Sequence, residues 1–501
     1  MQRRDVLKAL GAAGLAQAFP LSAFATGPDD TFQAFRRARQ RHAWLSGWES
    51  VDRTVLPRTA VDVTGDWPAA LRGSFYRNGP GLFDRSGQRY QHWFDGDGLL
   101  QAWRIGESGI THQARMIGTT KFVDEEQAGR FLYNAAGTEI PDARPVRNAD
   151  GSNTANTAVM PLDGDLYALW EGGSAWEVDP DTLESRGAKT WREGLEAVPF
   201  SAHPLFEADG SVWNFGSAAY IGGGTVLIWR IDARGRLQSI TPLDVGHRGY
   251  VHSFTMTDRH LLVMLAPLML ESELRGPYFD SLRWRPDQAS KLLIIDKNDP
   301  SRSRHVDLPA GMVFHWADAY EQGGDIVLAG AWSSSGDLIN SAFKGVMRGE
   351  PIHDDAPSAL TEFRIDSAGR SRITTVSSLP VEFPEFDRRF SAAGGRTYLL
   401  AQPQANDSDY LDTVVAVDRT TGSTQQYRYG DHHMAEEHRF VPRPGSSTRD
   451  DGWLIGTAMD YRNGRTLLSV FDARRVAEGP IAQAKLNRTL PLSFHACFVA
   501  T

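Results

Sequence analysis

The sequence predicts an all-β fold, a seven-bladed β-propeller with a helical and loop-built lid over one face. Three observations carry that expectation. Strand-like segments ending in an Asp and a turn recur along the chain, no strand–helix alternation interrupts them, and 48 Gly, 26 Pro and 14 Trp in 501 residues point to many short strands joined by turns.

The recurring unit is Trp176-Glu177-Val178-Asp179, Trp229-Arg230-Ile231-Asp232, Leu293-Ile294-Ile295-Asp296, Phe363-Arg364-Ile365-Asp366, Val415-Ala416-Val417-Asp418 and Ser469-Val470-Phe471-Asp472. Each marks a hairpin, because an Asp carboxylate accepts backbone N–H groups two residues on and so opens a turn. Successive Asp residues are 53, 64, 70, 52 and 54 positions apart, and a seventh hairpin, Ala102-Trp103-Arg104-Ile105 with Gly106 in the Asp place, lies 73 residues before Asp179. Such steps hold four short strands each, which suits radial repetition better than a sandwich. The long first step leaves room for a helical insertion around Asp124–Phe131, expected to contribute to the lid.

Residues 1–25 read as a leader. Arg3, Arg4 and Lys8 precede an apolar stretch that ends at Ala23-Phe24-Ala25, the pattern of a twin-arginine (Tat-type) signal peptide. Its expected partner is the Tat export machinery and its expected location periplasmic or exported. Residues 26–49 then form an N-terminal extension and residues 50–501 the propeller. The longest later apolar run, Leu261–Leu270, is too short to span a bilayer; it reads as a buried strand, with a peripheral membrane contact as the competing view. A net charge of -9 offers no basic stripe for nucleic acid. One cysteine, Cys497, excludes an intrachain disulfide and a thiolate-rich metal site.

Histidines fall in register with the turns. His203, His252, His315 and His495 follow Asp179, Asp232, Asp296 and Asp472 by 24, 20, 19 and 23 residues. They therefore occupy equivalent strands, the innermost ones, whose side chains converge on the propeller axis where several blades can each offer one metal ligand. Glu382 and Glu437 sit 16 and 19 residues after Asp366 and Asp418, in blades that supply no histidine to this set. Carboxylates there suit the second N–H of a ligating imidazole. Imidazole alone does not choose among iron, zinc, copper and nickel.

Leu71-Arg72-Gly73-Ser74-Phe75-Tyr76-Arg77-Asn78-Gly79-Pro80 and His92-Trp93-Phe94-Asp95-Gly96-Asp97-Gly98 resemble the signature of the carotenoid cleavage oxygenases. Trp170-Glu171-Gly172-Gly173, Ser201-Ala202-His203-Pro204, His252-Ser253-Phe254, Glu382-Phe383-Pro384 and Phe494-His495 extend the likeness over about residues 50–498. The resemblance implies one ferrous ion, Fe(2+), per chain held by His203, His252, His315 and His495, with Glu171, Glu382 and Glu437 behind them. It also implies O₂-dependent cleavage of a carbon–carbon double bond of a carotenoid, apocarotenoid or stilbene to two carbonyl products. Glu171 enters through the resemblance alone. Two positions depart from the family pattern, His438 where Pro is usual and Ala496 where Gly follows the last ligand.

Family members acting on hydroxystilbenes hold the phenol with a Tyr and a Lys, and Tyr90 and Lys121 resemble that pair in place. A Lys with a lowered pKa would deprotonate the phenol; the competing view makes Tyr90 a turn residue and Lys121 a solvated lid residue. The expected substrate is a small apolar or phenolic alkene in a tunnel lined by some of the 24 Phe and 14 Trp. His92 is expected to be structural, beside Asp95 and Asp97, which cap a turn rather than bind a cation. A propeller binding protein with a structural metal, and a metal-assisted hydrolase, stand as the competing functions.

Overall fold

The computed structural model describes residues 29–218, 223–270, 276–390 and 395–501. The leader at residues 1–25 lies outside them. Seven antiparallel sheets of four or five strands form the blades of a β-propeller. From axis to rim, blade 1 contains His495–Ala500, Gly73–Leu82, Asp97–Gly106 and Gly109–Met116, and blade 2 contains Ala158–Leu162, Asp165–Leu169, Trp176–Val178 and Ser185–Ala188. Blades 3 to 7 repeat the pattern, with inner strands Leu205–Phe206, Phe254–Met256, Met312–Gln322, Val381–Glu385 and His433–Pro442.

All seven recurring hairpins close the third strand of a blade onto its fourth. The Asp side chains act as expected: Asp179 accepts from the N–H groups of Asp181 and Thr182, Asp232 from Arg234 and Arg236, Asp366 from Ala368 and Arg370, and Asp418 from Thr420 and Thr421.

Because each blade is covered on both faces by its neighbours, its central strands are apolar on both sides. Leu262 and Ile294 of blade 4 pack on Trp316, Leu328 and Phe363 of blade 5, while Leu261, Val263 and Leu293 pack on Trp213, Phe215 and Val226 of blade 3. This accounts for the run Leu261–Leu270. It forms strands His260–Leu265 and Leu268–Leu270, with Leu261–Ala266, Leu268 and Leu270 buried and Met269 half-buried, as expected of core strands. No helix among the described residues is long and apolar enough to cross a membrane.

The ring is stitched shut from both ends of the chain. His495–Ala500 pairs with Gly73–Asn78 as the inner strand of blade 1. Val55–Ala60 adds a fifth strand to the rim of that blade, and Asp62–Gly65 adds one to the rim of blade 7 by pairing with Ala482–Lys485. Between these closures Leu99 and Trp103 of blade 1 pack with Ile455 and Leu468 of blade 7.

One face carries the lid. Its apolar core gathers Phe35, Trp44 and Trp48 from the N-terminal extension with Tyr90, Trp93, Phe131, Met347, Tyr410 and Phe494. The extension is thus part of the lid, entering as helix Asp29–Arg39 and the 3₁₀ turn Ala43–Trp48. The inserted helix spans Thr120–Ala128, starting four residues earlier than the sequence suggests, because Thr119 caps it by accepting the N–H of Phe122 and Gly129 ends it in the left-handed conformation.

Closure by the last strand is a stability requirement, since an open blade 1 would expose both the apolar seam and six unpaired residues of Gly73–Asn78. A chain ending at Phe494 is expected to show no cooperative thermal transition by circular dichroism. A melt within a few degrees of the full chain would contradict this account of closure.

Candidate metal centre and cavity

His203 and His252 stand two residues before the inner strands of blades 3 and 4, His315 lies within that of blade 5, and His495 opens that of blade 1. The fold brings all four together, with one nitrogen from each lying within 4.8 Å of the others. His252 Nε2 is 3.0 Å from His203 Nε2 and 3.1 Å from His315 Nε2.

Three of the rings are held from behind by carboxylates. Glu382 Oε2 is 2.6 Å from His315 Nδ1 and Glu437 Oε1 is 3.1 Å from His495 Nδ1, while Glu171 Oε1 contacts His252 Nδ1. Each carboxylate can only accept, so the Nδ1 proton is committed outward and the facing Nε2 atoms present lone pairs to one another. Lone pairs about 3 Å apart repel unless a cation shares them, which is the donor arrangement of a metal site. Burial favours the neutral form of His203, His252 and His495. It pushes His203 well below the usual imidazole range, helped by the neighbouring rings, and takes His495 down to about 4 despite Glu437. Burial also outweighs the pull of Glu171 on His252. Although burial alone would raise Glu437, Arg439 and His495 hold its carboxyl below the ordinary range.

The aiming of these side chains depends on local irregularities. His315, Glu382 and Glu437 each fall where strand register shifts, between Val313 and Trp316, Glu382 and Glu385, and Ala435 and His438. A bulge turns a side chain off the regular alternation, here toward the axis. Beside Glu382, Phe383 takes a positive φ of 54°, gives its N–H to Glu382 Oε2 at 2.8 Å and stacks on His315 with ring centres 5.2 Å apart. A left-handed Phe is strained, and it is held where it fixes a ring of the cluster.

The two departures from the family pattern leave the cluster intact. Ala496 gives its N–H to Glu437 Oε2 at 2.6 Å. His438 is bound instead to the Glu436 carbonyl at 2.7 Å and the Tyr429 hydroxyl at 3.0 Å.

The sequence reading did not assign roles to Arg77, Asn78 and Tyr250. The fully buried Arg77 bonds the Glu437 carbonyl at 2.9 Å, Ser493 Oγ at 3.1 Å and Glu436 Oε1 at 3.3 Å, tying blade 7 to the last strand. Asn78 gives both amide hydrogens to the carbonyls of Ala155 and Ala158 at 2.8 Å, fastening blade 1 to blade 2. Tyr250 donates to Glu171 Oε1 at 3.0 Å. The signal available for the first two was the Arg-Asn-Gly-Pro motif itself; nothing local marked Tyr250.

A cavity of about 380 Å³ reaches His252, His315 and His495 under the lid. Trp93, Phe94, Phe279, Phe314, Phe343 and Phe494 make much of its wall. Tyr90 and Lys121 are brought together, yet neither lines it. Lys121 Nζ lies 2.8 Å from Asp97 Oδ1 and 2.9 Å from Glu125 Oε2, donates to Tyr90 Oη, and is fully buried with its partners. The Phe131 ring covers Tyr90 at 4.1 Å. Lys121 is also not the weakened base expected. Burial alone would lower its pKa, but Asp97 and Glu125 outweigh burial and raise it. Burial and the same two carboxylates raise Tyr90 well above the usual phenol range.

Asp95 and Asp97 serve the lid. Asp95 accepts from Gly137 N–H at 2.9 Å and Thr138 Oγ1 at 2.6 Å, whereas Asp97 pairs with Lys121. His92 takes the Phe94 N–H on Nδ1 at 3.1 Å and gives its Nε2 hydrogen to the Ile339 carbonyl at 2.8 Å. Both nitrogens are satisfied only in the neutral ring, and burial takes its pKa down to about 3. A folded pKa below the unfolded 6.5 means stability is complete above pH 6.5 and is lost as pH falls toward 3. His92→Asn, which cannot take up that proton, is expected to flatten the acid limb of stability by up to about 1.4 kcal/mol per pH unit. Denaturant titrations of both proteins from pH 7 to 4 measure this; parallel curves would refute it.

Comparison with known proteins agrees with this architecture. Residues 48–500 match the family described as retinal pigment epithelial membrane protein, RPE65. The chain is 26% identical to the apocarotenoid-15,15'-oxygenase of Synechocystis sp. over 93% of its own length and 98% of that protein. It is 25% identical to the isoeugenol monooxygenase of Pseudomonas nitroreducens over 88% and 94%, and 26% identical to resveratrol cleavage oxygenase 1 of Aspergillus fumigatus over 88% and 92%. The crystal structure of cobalt-substituted Synechocystis apocarotenoid oxygenase superimposes with a TM-score of 0.83 at 25% identity, covering 92% of this chain and 98% of that one. A match over nearly the whole propeller, with the histidine cluster at its axis, places this chain in the RPE65 family, the carotenoid cleavage oxygenases, as an oxidoreductase of the oxygenase class.

Proposed function

We propose that the protein is a non-haem iron(II) dioxygenase that cleaves a carbon–carbon double bond of an apocarotenoid, carotenoid or stilbene-type substrate. One alkene and one O₂ give two carbonyl products, so the substrate supplies the electrons and no outside reductant is needed. The observation that carries this reading is the convergence of four imidazoles, three of them backed by a carboxylate at Nδ1, at the end of an aromatic cavity. A ferrous ion held by His203, His252, His315 and His495 would keep its positive charge and open positions, the chemistry needed to activate O₂ beside an alkene.

The protein's own groups do the rest. Glu171, Glu382 and Glu437 hold the imidazole tautomers and ring planes. Phe94, Phe279, Phe314 and Phe343 exclude water and hold the flat, apolar substrate against the histidines. In this reading Tyr90 and Lys121 brace the inserted helix against the lid, because the Lys121 charge is matched by two buried carboxylates rather than offered to a phenol.

Purified protein is expected to bind one iron per chain and to take up O₂ only when an alkene is present. Resveratrol, isoeugenol and a β-apo-carotenal separate the substrate classes through the masses of the aldehydes formed. His203→Ala or His315→Ala should abolish turnover, and Glu382→Gln should weaken metal binding by about 10- to 100-fold. Full iron occupancy with no cleavage of any of the three would overturn the proposal, as would product oxygens drawn only from water.

We also propose export by the Tat route, on the strength of Arg3-Arg4 and the apolar stretch behind them. Replacing both arginines by Lys should retain the protein in the cytoplasmic fraction.

A further inference from the structure

The histidine end of the cavity is aromatic, but part of its wall is not. Asp354 lies there with His353, Gln402 and Asp409. The Asp354 carboxylate has one oxygen committed, Oδ1, which accepts the Ala356 N–H at 3.0 Å. No protein donor among the described residues meets the other oxygen. His353, next in the chain, is turned elsewhere, with Nε2 3.2 Å from Asp355 and Nδ1 3.7 Å from Asp409. The same carboxylate and Glu382 line a small side chamber with Phe314 and Leu338, which sets Asp354 on the side of the cavity where Glu382 holds His315. Burial, with Asp355 and Glu382 nearby, raises its pKa, as expected of a half-buried acid short of donors.

A carboxylate in a largely apolar cavity with an open acceptor position favours a ligand that brings a hydrogen. Hydrocarbon ends, methyl ethers and aldehydes bring none. Nor can Tyr90 and Lys121 serve that end of a substrate, since they are sealed away from the cavity.

We propose that Asp354 is a specificity-determining residue that accepts a hydrogen bond from a hydroxyl group of the substrate, so that the alkene cleaved is a hydroxylated one. This rests on the dioxygenase reading for the identity of the ligand, but hydroxyl recognition is measurable without turnover. The hydroxyl can belong to a phenol, as in a stilbene, or to the ring of an apocarotenoid, and both would meet the carboxylate in the same way.

The test is anaerobic binding to the metal-loaded protein, followed through quenching of the cavity tryptophans Trp93 and Trp170. The probes are resveratrol against its trimethyl ether, and 3-hydroxy-β-apo-8'-carotenal against β-apo-8'-carotenal. The wild type is expected to favour the hydroxylated member of at least one pair by about tenfold or more, a bond to a charged acceptor being worth that much. The pair showing the preference identifies the source of the hydroxyl.

Asp354→Asn keeps an oxygen for the Ala356 N–H and turns an N–H donor toward the cavity. It should cut that preference by about 10- to 100-fold and move it toward the ether or deoxy member. Asp354→Ala, which removes the acceptor and adds no donor, should bring the affinities close together. Equal binding of both members by the wild type, or a ratio unmoved by either substitution, would overturn the proposal. Hydroxyl preference without cleavage would instead sink the dioxygenase reading and leave this one standing, and cleavage without preference would do the reverse.

Discussion

The structure is organised around a repulsion. Four imidazoles from four blades direct nitrogen lone pairs at a common point, and carboxylates behind three of them prevent relief by moving a proton inward. A scaffold must hold such a cluster in place, and a shared cation would relieve the repulsion. Much of the rest follows from that requirement: a closed ring, so that no blade can swing outward; bulges that aim side chains at the axis; and burial of the cluster beneath the lid.

Rigidity comes from distributing the load. Each blade buries both faces against its neighbours, so displacing one inner strand means disturbing two apolar seams. The seam between blades 7 and 1 is where a propeller can open, and a buried polar lock holds it. The buried Arg77 bonds the carbonyl of Glu437 and pairs with Glu436, and Ser493, just ahead of His495, completes the knot. The same contacts that close the ring therefore also position a residue behind the histidine cluster, coupling stability to the site.

The lid follows a different logic. Its apolar core is drawn from segments far apart in sequence, and its polar interior holds charge-balanced clusters such as Lys121 and Arg85 with Asp97 and Glu125. A buried ion pair of this kind adds little net stability compared with an apolar filling, but losing one partner strands the others. The same carboxylates, by raising the Lys121 pKa against burial, oppose the loss of its proton. The cavity beneath inherits a largely apolar wall, interrupted at the histidine cluster and again at Asp354 and its neighbours.

The residues by themselves determined the periodicity. Asp179, Asp232, Asp366 and Asp418 act within a few positions of their own turns, so strand, turn and spacing are local properties, and the histidines could be read as equivalent because they keep step with those turns. Glu171 became readable only through likeness to a family, since it lies at the end of a second strand and out of step with the rest. What tertiary structure alone decided was direction. A bulge at Glu382 or Glu437, the left-handed Phe383 and the Tyr250 hydroxyl on Glu171 have no local signature. The fate of Tyr90 and Lys121 was likewise set by Asp97, Glu125 and Phe131 packing around them. Spacing along a chain fixes which strand a residue occupies; whether its side chain meets a cavity, a counter-charge or the axis depends on elements that arrive from elsewhere, because burial and electrostatics are properties of the assembled surroundings.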